Sequence, residues 1–149
     1  MTVDPGSRAN RALVAAEAKR QAGAFHDALA LAAIAERGPL DDSQRAQLDV
    51  LRARVSFGSD RGSDAPMLLL HAAQQLEPID PGEARNTYLD ALTAALFAAQ
   101  LAAKGNAREI AKLALRAPRP GGARRAVDDL LDGLALTIIQ GPAAGIPVL

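Results

Sequence analysis

IDPGEARNTYLDALTAALFAAQLA, residues 79 to 102, reads as one long helix, and that reading decides the fold class. Asp80 can cap its start, Pro81 suits the first helical position where no N–H is needed, and Glu83 stands where a capping-box partner reaches back. Leu89, Leu92, Leu96, Ala99 and Ala103 then recur at helical spacing, so the predicted helix runs to about Lys104, roughly 35 Å at about 1.5 Å per residue. Almost nothing reactive lies on it.

The same grammar extends in both directions. Apolar spacing of three and four recurs and period-two alternation does not persist, so every element is expected to be helical. Thirty-four alanines add high helix propensity, and they leave side chains small enough for helices to approach closely. At 149 residues the chain has room for one domain or a compact run of repeats.

Upstream, the predicted helices cover about Ser7–Ala22, Ala24–Arg37, the segment after an Asp42-Ser43 cap, and Asp64–Leu76. The third should bury Leu48, Leu51 and Val55, with Phe57 near its end and the polar run Gly58–Asp64 turning the chain. The fourth carries Leu68, Leu69, Ala72 and Leu76. ALALAAIA, residues 28–35, is apolar almost all round and predicts a helix buried on two sides. Downstream, about Asn106–Ala117 presents Ile110, Leu113 and Ala114, and about Ala123–Gln140 presents Val127, Leu130, Leu131, Leu134 and Ile138.

The turn glycines Gly23, Gly62, Gly105 and Gly141 are 39, 43 and 36 residues apart, and Asp4-Pro5-Gly6 returns as Asp80-Pro81-Gly82 after 76 residues. Helix pairs at such a period predict an all-α solenoid, each pair burying its apolar face against its neighbours. After Gly23, Ala24-Phe25-His26-Asp27-Ala28-Leu29 resembles the second-helix signature of tetratricopeptide repeats, although the first-helix aromatic positions are unfilled and the period exceeds 34. The expectation is one tetratricopeptide-like domain over 1–149, of about seven antiparallel helices in repeats 4–38, 42–77, 80–117 and an incomplete 123–149. GPAAGIPVL supplies only the beginning of an eighth helix, so helix seven is expected to expose a face for a partner or a second copy.

Seventeen basic and seventeen acidic residues cancel, and one Tyr with no Trp leaves little for base stacking, so direct nucleic-acid contact is not expected. The absence of cysteine excludes disulfides and thiolate metal sites. The start MTVDPGSRANR lacks a signal-peptide core, and the nearly apolar run Ala91–Ala103 is shorter than the roughly 20 residues of a membrane span. A soluble, cytoplasmic chain is the resulting expectation.

No catalytic constellation emerges. His26 and His71 lie on different predicted helices without metal-ligand spacing, and are expected to be ordinary groove or surface histidines. Asp128, Asp129 and Asp132 are expected to stay solvated in the first turns of helix seven, complementing its dipole. GSDRGS, residues 58–63, lacks P-loop spacing, and the GxSxG elbow is absent. Arg116, Arg119, Arg124 and Arg125 bracket PRPGG and form the densest basic cluster, the candidate contact for an anionic partner. No cofactor or metal site is expected in this chain.

The strings AAEAKRQAGAFHDALAL, GPLDDSQRAQLDVLRARVSF, GSDAPMLLLHAAQQLEPIDPGEARNTYLDALTAALFA and AVDDLLDGLAL resemble the central region of large ATP-binding LuxR-type transcriptional regulators of MalT-like layout. In that family a nucleotide-binding module precedes a tetratricopeptide-like array, and a DNA-binding helix-turn-helix follows. The resemblance spans about Asp4 to Gly141 and touches only the array: the chain has no Walker motif and no readable helix-turn-helix. ATP is therefore implied only for the family's other module, and the chain is expected to be a fragment. The resemblance implies a non-catalytic segment that receives a protein or small-molecule inducer through a concave helical surface. A stand-alone helical adaptor for a peptide or protein partner is the other expectation, distinguished by what the flanking reading frame encodes.

Overall fold

The structure, a computed structural model, describes residues 4–60, 64–100 and 106–149. Among the described residues every regular element is helical: α1 Pro5–Gln21, α2 Phe25–Glu36, α3 Asp42–Asp60, α4 Ala65–Leu76, α5 Pro81–Gln100, α6 Ala107–Arg116, α7 Ala126–Gln140 and α8 Pro142–Gly145, followed by a 3-10 turn at Ile146–Val148. The helices fall into two compact units, Met1–Asp60 and Arg61–Leu149. The boundary lies inside the predicted repeat 42–77. Gly62, Gly105 and the predicted end of helix five near Lys104 lie outside the described residues.

Aspartate side chains cap the starts of α1, α3 and α5. Asp4 accepts from Ser7 N at 2.9 Å, and Asp80 Oδ1 from Glu83 N at 3.0 Å. At α3 the cap is Asp41, one residue before the expected pair. Gln44 N donates to Asp41 Oδ1 at 2.8 Å and Asp41 N to Gln44 Oε1 at 3.0 Å, a reciprocal box that satisfies two otherwise unpaired donors. The Glu83 carboxylate accepts from Asn86 Nδ2 at 2.8 Å.

In the first unit, α1 passes into α2 through Gly23, whose φ of 75° is left-handed. Gly23 N donates to Arg20 O and Ala24 N to Lys19 O, which closes the end of α1 as a Schellman motif. The core is alanine on alanine: Ala9, Ala12, Leu13 and Ala16 of α1 meet Ala28, Ala32 and Ala35 of α2, and Leu48, Leu51 and Val55 of α3 complete the cluster. At the end of α2 a Cβ on Gly38 would lie 2.6 Å from that of Ala9, so this approach requires glycine. α3 runs past Phe57 to Asp60, and Gly58 there faces the Phe25 ring.

One expectation fails here. α2 buries a single stripe, while Leu29 is 44% and Ile34 37% exposed. Alanine faces let helices approach closely, and a leucine between them would hold them apart, so the larger side chains turn outward.

The second unit buries leucines beside its alanines and still leaves some leucines outside. α4 packs on α5, α6 on α7, and α5 touches α6 and α7. Leu69, Leu70, Ala72, Ala73 and Leu76 of α4 are buried, but Leu68 is 50% exposed. On α5 the buried line is Ala84, Arg85, Tyr88, Ala91, Leu92 and Ala95, whereas Leu96, expected in the stripe, is 37% exposed. On α7 the buried line is Asp128, Leu131, Asp132 and Ala135, and Leu130 is 46% exposed. Residues 142–149 fold back on α7, with Gly145 against Thr137 and Gly133 against Leu149, so the chain itself covers part of the face expected to stand open. None of the helices among the described residues is long and apolar enough to cross a membrane.

Candidate functional site

α5 brings one cation into the interior of the second unit. Arg85 is fully buried, in phase with Tyr88 and Leu92 on the inward stripe. Its Nε donates to Asp128 Oδ1 at 2.6 Å and its Nη2 to Asp132 Oδ1 at 2.6 Å. Nη1 and Nη2 also reach the carbonyls of Ala117 and Asp128, at 3.4 and 3.3 Å. The two aspartates stand one helical turn apart on α7, which presents both carboxylates to one guanidinium. Taking these charges from water is costly, and the pairing with added carbonyl contacts is what offsets that cost.

The expectation that Asp128 and Asp132 remain solvated is therefore corrected: they are 7% and 6% exposed. Dipole complementarity would leave them in water; the buried guanidinium draws them inward. Asp129 stays nearer the surface and pairs with Arg124.

The basic cluster is drawn into the same network. Arg119 Nη2 donates to Asp132 Oδ2 at 2.6 Å and Arg125 Nε to Asp128 Oδ2 at 3.1 Å. Arg125 also donates to Asn86 Oδ1 at 2.9 Å and to Gly82 O at 3.2 Å, tying the start of α7 to that of α5. That reach fits the extended backbone of Arg125, and α7 begins at Ala126 rather than near Ala123. A Cβ on Gly82 would lie 2.7 Å from Arg125 Nη1, so glycine in the second Asp-Pro-Gly makes room for this side chain. Arg116 is exposed at the end of α6, outside these pairs.

Beside the network lies a cleft of about 350 Å³, lined by Arg119, Pro120, Gly122, Ala123, Arg124, Asp128, Asp129 and Asp132. Arg119 and Arg124, 74% and 73% exposed, form its lip. Because each carboxylate there faces a guanidinium, an incoming anion would compete with Asp129 and Asp132 for them. The arrangement is chemically a cross-link between helices.

Polar groups elsewhere are similarly engaged. Thr87, Thr93 and Thr137 donate to carbonyls one turn back, and Tyr88 Oη donates to Glu77 Oε1 at 2.6 Å. Burial, then the Glu77 hydrogen bond and charge, push the Tyr88 phenol well above its ordinary range. His26 and His71 are exposed and belong to different units. Among the described residues no buried side-chain nitrogen or oxygen lacks a partner, and no group of three or more His, Asp or Glu is placed to hold a metal ion.

Arg85 is the residue the sequence reading missed. The available signal was phase: counted back from Leu92 and Tyr88, position 85 falls on the buried line, and Asp128 and Asp132 flank Leu131 at helical spacing. No protein-family model, no curated protein and no solved structure matches the chain.

Proposed function

We propose that the chain is a non-catalytic interaction and signal-sensing segment, tetratricopeptide-like, of a LuxR-type ATP-dependent transcriptional regulator. The observation that carries the interaction role is the exposure of large apolar side chains on both units. Val14, Leu29 and Ile34 in the first unit and Met67, Leu68 and Leu130 in the second are left 37–65% exposed. Apolar side chains presented this way suit contact with a protein or a small inducer. The regulator context is supported by the wording of the strings quoted above, and ATP hydrolysis and promoter binding belong in this reading to other modules.

The reading assigns no reaction to the chain. Among the described residues its densest polar cluster is consumed in ion pairs, and its two histidines are exposed. Reading the coding sequence in frame on both sides is the direct test. Walker and helix-turn-helix segments there support the regulator; an intact frame without them assigns the chain to a stand-alone adaptor. Hydrolysis of ATP or a simple ester by the purified chain, lost on changing His26 or His71, would overturn the non-catalytic role.

A further inference from the structure

The first unit holds a second cleft, of about 230 Å³, lined by Pro5, Arg8, Ala9, Ile34, Arg37 and Gly38. It sits where the start of α1 meets the end of α2, at the close approach of Gly38 to Ala9. Its apolar side is the buried Ala9 and the partly open Ile34. Arg8 and Arg37 are both exposed and supply its charge.

Among the described residues these cations have no carboxylate partner. Arg37 spends Nε on Ala33 O at 3.1 Å, which leaves its remaining donors for other use. Six acids of this unit are committed elsewhere: Asp4 to Ser7, Glu17 to Arg20, Asp27 to Lys19, Glu36 to Arg52, Asp41 to Gln44 and Asp42 to Arg45. The cleft beside Asp132 contains its own counter-charges; this one does not.

We propose that the α1–α2 cleft binds a small organic acid, its carboxylate taken by Arg8 and Arg37 and its short apolar body laid on Ala9 and Ile34. Planar guanidinium donors match a carboxylate in geometry as well as charge. The volume lies below the about 300–1,000 Å³ usual for small-molecule pockets, which selects a compact ligand. The site stands whether or not the chain belongs to a regulator, since it rests only on groups within the first unit.

The test is titration of the ¹⁵N-labelled full chain with benzoate, alongside benzyl alcohol and inorganic phosphate, followed by amide shifts. Benzoate is expected to move the amides of Ala9, Ile34 and Gly38 saturably, with a Kd of about 1 mM. Arg8→Gln with Arg37→Gln, both at exposed positions, should weaken it about tenfold or more. Ile34→Ala should weaken benzoate and leave acetate unchanged, which separates loss of the site from any rearrangement caused by the arginine changes. A short peptide ending in leucine, free or amidated, identifies the source. Binding of the free-acid peptide as tightly as benzoate assigns a chain terminus, and binding of benzoate alone assigns a free acid. Benzyl alcohol or phosphate matching benzoate, undiminished binding in the double variant, or no saturable shift at these amides would overturn the proposal.

Discussion

Arg85 and Asp128, 43 positions apart in the chain, meet at 2.6 Å with both side chains withdrawn from solvent. Asp132 completes the clamp from the next turn of α7. Joining α5 to α7 thus depends on polar groups whose removal one at a time strands a charge.

Arg85→Ala is expected to destabilise the second unit by about 3–5 kcal/mol, because two carboxylates lose their buried counter-ion. Replacing Arg85, Asp128 and Asp132 together by Met, Leu and Leu should recover most of that loss, since no charge is left buried. Urea unfolding of the two proteins decides it; a single variant costing under about 1 kcal/mol would mean that water reaches the clamp.

Gly38→Ala places a methyl 2.6 Å from Ala9 Cβ and should cost about 1–3 kcal/mol through overpacking. Ala9→Gly in the same chain should restore part of it. Gly121, whose added Cβ would meet nothing within 4 Å, is the control, with Gly121→Ala expected within about 0.5 kcal/mol of the parent. Thermal melts of the variants provide the comparison.

Tyr88 is the chain's only tyrosine, so its ionisation is directly visible in the ultraviolet spectrum. With its pKa raised in the folded state, the folded form holds the proton after the unfolded form has released it. Stability is therefore fully present below the ordinary phenol value of about 10 and is lost as pH rises above it. Tyr88→Phe should remove this slope and cost about 1–2 kcal/mol at neutral pH, leaving Glu77 without its donor.

The first unit should weaken in acid. Hydrogen bonds from Ser7, Lys19 and Arg52 lower the pKa values of Asp4, Asp27 and Glu36 respectively; burial raises Glu17, but bonds from Arg20 and Gln21 outweigh it. Carboxylates depressed on folding contribute stability above the ordinary carboxylate range, and that contribution fades as pH falls through it. Melting temperatures followed from neutral pH to about pH 3 should drop, and Arg52→Gln should flatten the part due to Glu36.

The punctuation of the fold was legible. Asp4, Asp80, Pro81 and Gly23 act through local backbone geometry, which a short window of sequence contains, and the helix boundaries they imply fall within a few residues of those found. Which side of each helix faces inward was harder to read. Leu68, Leu96 and Leu130 were expected on the same stripes as Leu69, Leu92 and Leu131; they fall outside the buried stripe, whose edge a spacing of three and four does not locate. Arg85 was hidden for the opposite reason, since a charge in an apolar line makes sense only once its partners on a distant helix are known. The candidate arginines were visible as a cluster, but the pairing of Arg119, Arg124 and Arg125 with Asp132, Asp129 and Asp128 required the fold to bring loop and helix together.

Building the contact between α1 and α2 largely from alanine separates scaffolding from livery. Enlarging Ala28, Ala32 or Ala35 would jam the contact between α1 and α2, whereas Leu29 and Ile34 can be recoloured without disturbing it. Such a molecule can acquire new acquaintances by repainting its exterior while its skeleton stays unaltered.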